Sequence, residues 1–282
     1  MNSKVKVARL SVISNSALII LKLVVGILSG SVSIISEAIH SAMDLLAAII
    51  AYFAVKVSDK APDSKHPYGH GKFENVSGVV EALLIFVAAA LIISEAIRKL
   101  LGKPFDLELI WIGAIVMLIS AIVNSFVSHR LYKVARETKS IALEADALHL
   151  KTDVYTSLGV AVGLGLIAIT GIKWLDPIVA ILVALMIVYE SFSLLRRAFW
   201  PLVDVAWNED EIKDLELKLK EMKVNYHELR TRISGNYRFI DLHIEVAESV
   251  SVGDAHSYCD KIEEELSKHF ERLSVTIHVE PK

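Results

Sequence analysis

Apolar positions dominate six stretches of the chain, near residues 9–29, 33–57, 77–98, 108–129, 147–170 and 175–199. Each is about as long as the 20 residues a helix needs to cross a hydrocarbon core of roughly 30 Å. The pattern predicts a transmembrane domain of six helices over residues 1–204. Lys4, Lys6 and Arg9 precede the first stretch as they would in a signal peptide. That stretch is long, carries Lys22 and has no small-residue cleavage site, so it is expected to be retained.

The pattern changes after residue 204. Glu209 to Met222 repeats at a helical period, and two alternating, strand-like runs flank Gly235-Asn236, a hairpin-type turn. A second helical pattern runs from Asp254 to Phe270 and a last strand from Leu273 to Glu280. The order αββαβ predicts a small α+β domain, residues 205–282, of the ferredoxin-like or metallochaperone-like open-faced type. So few residues make a small independent core, which favours pairing with a second copy.

Composition sharpens this division. Of 282 residues, 54% are apolar and 22% charged, with a formal net charge of −3 and a mean hydropathy of +0.49. Residues 1–204 hold 19 basic and 16 acidic side chains; residues 205–282 hold 11 and 17. Neither part has the basic stripe that nucleic-acid binding needs. The one cysteine, Cys259, excludes a disulfide scaffold or a multi-cysteine metal site. Connections on the N-terminal side of the six stretches carry thirteen lysines and arginines, from Lys4 to Arg197, against Arg98, Lys99, Lys103 and Lys173 on the other. The positive-inside rule then puts both termini and the acidic tail in the cytoplasm.

Ionisable groups at membrane depth are costly, so each is a functional hypothesis. The second stretch contains His40 and Asp44, the fifth His149 and Asp153, both spaced H-x-x-x-D. A spacing of four puts both members of a pair on one helix face. Two imidazoles and two carboxylates on facing helices are the donor set of a tetrahedral zinc site. The carboxylates offset the charge of a divalent ion, and the histidines take up protons when it leaves, which suits metal–proton exchange. A purely structural zinc would use the same four donors. Between the second and third stretches, Asp63, His66 and His70 lie among Pro67, Gly69 and Gly71, turn residues that let three ligands converge; a solvated loop with idle histidines is the plain alternative. In the tail, Ile240, Leu242, Ile244 and Val246 alternate with Asp241, His243 and Glu245, and Val275, Ile277 and Val279 with Thr276, His278 and Glu280. His243, His278 and Glu280 therefore share one exposed sheet face. With His227 opening the first strand and His256 early in the second helix, they suggest a two-metal cluster, or simply surface histidines. His129 and His269 fit no cluster.

These residues resemble the cation diffusion facilitator family over essentially the whole chain. The resemblance is carried by SEAIHSAMD, DSKHPYGHGK, ALEADALHLKTD, HELRTR, IDLHIEV and IHVE. It implies a Y-shaped or V-shaped homodimer that exports divalent metal from the cytoplasm in exchange for protons. It implies a transport site of His40, Asp44, His149 and Asp153, a loop site of Asp63, His66 and His70, and a cytoplasmic cluster of His227, His243, His278 and Glu280 bridged by His256. Similar proteins often have Asp where Glu280 stands. By the same likeness Lys72 and Asp204 form a charge interlock between protomers. Two-His, two-Asp sites resemble the zinc-selective members, so Zn2+ is the expected substrate and regulatory ligand; cobalt, cadmium, nickel, iron(II) and manganese are the alternatives. The histidine-rich loop of many eukaryotic vesicular members is absent between Leu131 and Leu143, which favours a prokaryotic plasma membrane. A membrane metal sensor that binds zinc without moving it is a rival reading. An intramembrane metalloenzyme is disfavoured, because no HExxH helix and no general base accompany the pairs.

Overall fold

A computed structural model describes residues 3–29, 32–101, 110–170 and 174–282; some side chains within the helices, His40 among them, lie outside the described set. The chain forms two units, Met1–Phe199 and Trp200–Lys282.

Among the described residues the first unit has six long helices: α1 (Ser3–Ser29), α2 (Val32–Ser58), α3 (Lys72–Leu100), α4 (Ile110–Thr138), α5 (Ile141–Thr170) and α6 (Leu175–Phe199). Among the described residues, α1, α3, α4 and α6 are apolar and long enough to cross a membrane on composition alone. The other two, α2 and α5, carry the H-x-x-x-D motifs. Four helices run further than the apolar stretches indicate, α1 among them from Ser3. α3 starts at Lys72, α4 continues to Thr138 and α5 starts at Ile141. The basic segment read as a connection between the fourth and fifth stretches is therefore almost wholly helical. A hydropathy window sees only the part facing lipid, whereas backbone hydrogen bonding continues past it. The turn itself is two residues. Lys139 adopts φ 51° after α4, and Ser140 caps α5 by accepting a hydrogen bond from the Leu143 amide at 3.4 Å.

Small residues let these helices approach. A Cβ added to Gly159 on α5 would lie 2.9 Å from Val183 Cγ2 on α6, closer than real contacts permit. The other two glycines of that helix, Gly163 and Gly165, have no described surroundings. The apolar core sits in the half of the bundle near the start of α1 and α5, with Ala8, Val55, Val127, Leu131, Leu143, Ala147 and Leu150 buried together. An ionic network closes that end. Lys4, 2% exposed, places Nζ 2.8 Å from both Asp59 Oδ1 and Glu74 Oε1. Ser58 donates to Glu74 Oε1 at 2.7 Å, and Ser140 donates to Glu74 Oε2. Four helices are tied through one glutamate.

The second unit begins with a 3-10 turn, Trp200–Val203, followed by α7 (Glu209–Glu221), β1 (Tyr226–Ser234), β2 (Tyr237–Val246), α8 (Val252–His269) and β3 (Leu273–Pro281). Asn208 caps α7 by accepting from the Glu211 amide at 2.8 Å, and Ser251 caps α8 by accepting from that of Asp254 at 3.2 Å. The sheet order is β1-β2-β3, antiparallel between β1 and β2, parallel between β2 and β3. Leu215 and Leu219 of α7, and Ile262 and Leu266 of α8, pack with Ile240, Leu242 and Ile244. Both helices therefore cover one sheet face and leave the histidine-bearing face open, as the alternation predicts. His269 Nε2 lies 2.8 Å from Asp214 Oδ2, joining α8 to α7.

Replacing Lys4 by Met strands the buried Glu74 carboxylate, which costs about 3–5 kcal/mol for a pair of this kind. The thermal midpoint in detergent should fall by several degrees, and adding Glu74→Gln should recover part of the loss. A Lys4→Met protein that melts with the wild type would show that the network carries no stability.

Candidate metal centres

The centre of the first unit is built where α2 and α5 meet. Asp44 and His149 are 5% and 7% exposed, and His149 Nε2 lies 3.0 Å from Asp44 Oδ1. Donor atoms of Asp44, His149 and Asp153 all fall within 4.8 Å of one another. Asn124 of α4 donates to Asp153 Oδ2 at 3.4 Å. Three of the four donors expected from the two motifs are thus brought together. The fourth, His40, lies in α2 one turn before Asp44, and its side chain is outside the described residues. The helical period explains the meeting: four residues advance about one turn, so each motif presents one face, and the polar faces turn to each other because lipid offers them no partner.

Asp44 and Asp153 line a cavity of about 310 Å3 that extends along α1 from Asn15 to Lys22, along α4 from Met117 to Asn124 and along α5 from Thr152 to Ser157. It lies on the side of His149 away from the start of α5. The opposite side is closed by the leucine-rich packing and the Glu74 network. Several buried groups here were not foreseen from sequence. Glu81 on α3 accepts from Ser77 at 2.8 Å, and Asp146, one turn before His149, accepts from Ser11 at 3.1 Å. Both are fully buried, and among the described residues Glu81 Oε2, Asp146 Oδ2 and His149 Nδ1 have no protein partner. Asp146 is three residues from His149 in EADALH, a spacing that already placed it on the same face; Glu81 had no such motif.

The loop before α3 gathers Asp63, His66 and His70, whose donor atoms also lie within 4.8 Å of one another. Asp63 Oδ1 accepts from the amides of Lys65 and His66 at 2.9 and 2.8 Å. His70 Nε2 lies 3.4 Å from Asp63 Oδ2, and the two imidazoles are 4.4 Å apart. Gly69, at φ 85°, makes the turn that returns His70 to the aspartate. Hydrogen bonding from the His66 amide, then from that of Lys65 and the His66 ring, holds the Asp63 carboxyl below its ordinary value against some desolvation.

In the second unit the strand register sets His227 beside His243 and His243 beside His278. Ring centroids are 5.2 and 4.7 Å apart. Glu280 joins them: Oε1 is 3.0 Å from His243 Nδ1 and 3.5 Å from His278 Nε2, and Oε2 is 3.2 Å from His227 Nε2. Loss of hydration is the largest single influence on Glu280 and pushes its carboxyl up. The His243 hydrogen bond and the charges of His227, His243 and His278 outweigh it and leave the group below its ordinary value. Alternation would turn Glu228 away from His227, but a β-bulge between His227 and Arg230, with Glu228 at φ 47°, brings its Oε2 to 3.7 Å from His243 Nε2. His256 does not join the four; its Nδ1 lies 3.6 Å from Asp260 Oδ1 on its own helix. Asp204 Oδ1 lies 3.7 Å from Arg232 Nη1 within the second unit, and Lys72 opens α3 in the first. All three groups consist of imidazole and carboxylate donors, a chemistry that fits zinc and similar divalent ions.

Residues 8–203 match the family model of the cation efflux transmembrane domain. Residues 207–282 match the ZT_dimer model, described as the cation efflux protein, cytoplasmic domain. The chain belongs to the cation diffusion facilitator family. A transporter of Synechocystis sp., sll1263, is 34% identical over 93% of this chain and 85% of its own length. The cation-efflux pump FieF of Shewanella oneidensis is 31% identical over 97% of this chain and 93% of its own. Among solved structures, CzrB in its zinc form is 31% identical over 28% of this chain and 93% of that chain, with a TM-score of 0.25. This facilitator is thus an integral membrane transporter of divalent metal cations, and the match of its second domain indicates dimerisation.

A carboxyl whose value is depressed by folding contributes stability above its ordinary value and loses it as pH falls through the depressed one. Glu280→Gln should therefore lower hydrogen-exchange protection in β2 and β3 near neutral pH and flatten its loss in acid, after correction for intrinsic exchange rates. Identical profiles for wild type and variant would remove Glu280 from the energetics of the histidine face.

Proposed function

We propose that the protein exports zinc from the cytoplasm in exchange for protons, by alternating access, as a homodimer in a prokaryotic plasma membrane with both termini inside. The observation that carries this reading is the convergence of Asp44, His149 and Asp153, donors from two different helices, at the inner end of a polar cavity. Such a geometry can hold a divalent ion with its charge cancelled, and imidazole favours zinc over manganese. With the start of α5 on the cytoplasmic side, the cavity opens outward and the Glu74 network closes the inner side, so the described conformation is the one that releases metal.

Exchange follows from shared donors. In the metal-free protein a proton on His149 Nε2 closes the 3.0 Å contact with Asp44 Oδ1. A divalent ion arriving from the cytoplasm takes that place and displaces the proton, and a proton entering from outside reverses the step. His40 completes the four-donor site in this reading. Rocking of the bundle about the site then alternates its exposure. We assign Asp63, His66 and His70 to a second site at the cytoplasmic mouth, and His227, His243, His278 and Glu280 to a cytoplasmic cluster. Metal in that cluster joins the two tails and biases the bundle by a few kcal/mol at most. Lys72 and Asp204 form the interlock between protomers.

Reconstituted in liposomes with an imposed pH gradient, the wild type should move zinc against protons. Asp44→Ala and Asp153→Ala should fall to the level of protein-free liposomes. Equal flux in all three would remove these carboxylates from the pathway. Zinc binding without flux in the wild type would support the sensor reading instead.

A further inference from the structure

Lys22 is a cation where the bundle has least reason to hold one. It lies two-thirds of the way along α1, is 6% exposed, and donates from Nζ to Ser41 Oγ at 2.7 Å. Ser41 stands on α2 one turn before Asp44. Among the described residues, Lys22, Asp44 and Asp153 are the charged ones lining the 310 Å3 cavity, and the other polar residues there, Asn15, Ser41 and Asn124 among them, are neutral. A lysine at this depth persists only where an opposite charge compensates it. The carboxylates sharing its cavity, Asp44 and Asp153, are the two carboxylate donors of the metal centre.

This arrangement has opposite effects on the two states of the site. Without metal, the ammonium offsets one of two carboxylate charges held in a low-dielectric bundle. With a divalent ion bound, the same ammonium repels it across the cavity. Coulombic terms of this kind fall slowly with distance in a poorly screened interior. We propose that Lys22 is a resident counter-cation of the transport site, one that steadies the metal-free carboxylates and weakens their grip on the bound ion, so that release into the cavity is fast. The inference rests on the export reading above and names a residue that tunes it.

The test separates charge from shape. In liposome flux with external and internal zinc varied, Lys22→Gln should lower KM about tenfold and lower the maximal rate by a similar factor, because the ion is held longer. Lys22→Arg, which restores the charge, should bring KM back up. A KM that is unchanged or raised in Lys22→Gln would overturn the proposal and leave Lys22 as a strut for Ser41 and α2. Should Lys22→Gln fail to fold, a tenfold fall of KM in Lys22→Arg would overturn it equally. Zinc affinity is also read without flux, by chelator competition on full-length protein carrying His66→Ala and His243→Ala to silence the other two clusters. There Lys22→Gln should bind about tenfold tighter. That binding readout stands if no transport is seen, so failure of the export reading and failure of this inference are distinct results.

Discussion

The contact between Asp44 on α2 and His149 on α5 is the constraint around which the first unit is arranged. Neither side chain has a tolerable alternative. An aspartate or histidine turned toward lipid loses its hydration with nothing in return, so the two helices must face each other and bring Asp153 with them. Once α2 and α5 are fixed in this way, α1 and α4 complete the wall with Asn15, Lys22 and Asn124, polar groups that would be equally misplaced on an outer surface. The polar interior of this transporter is therefore the residue of an exclusion.

The bundle is asymmetric along its axis. Toward the start of α5, leucines and alanines pack tightly and Glu74 collects Lys4, Ser58 and Ser140. On the other side of His149 the same helices part around a polar cavity. Close packing is not continuously deformable, so the packed half of the bundle and the half that opens around the cavity differ in kind and not only in degree. Glu74 follows His70 by four residues, so the Glu74 network and the loop cluster meet at the start of α3.

The cytoplasmic unit uses a different means to gather similar donors. There, strand register aligns His227, His243 and His278 across three strands, and Glu280 reaches all of them from two residues beyond His278. The glutamate's extra methylene spans contacts to three separate rings. Because both helices cover the opposite face, this cluster lies open, where a second copy of the domain can approach it.

Much of this was legible in the chain itself. Helix number, the αββαβ order, the open face of the sheet and the two H-x-x-x-D pairs all follow from periodicity, because the period of a helix or strand fixes which side chains share a face without reference to anything distant. Periodicity does not say which faces meet. The partnership of Asp44 with His149, the bond from Ser11 to Asp146, the network at Glu74 and the seat of Lys22 against Ser41 join residues separated by between 16 and 135 positions. The bulge that turns Glu228 toward His243 likewise depended on strand pairing that no local pattern encodes. Local geometry determined what each segment presents; only packing in three dimensions decided what it is presented to.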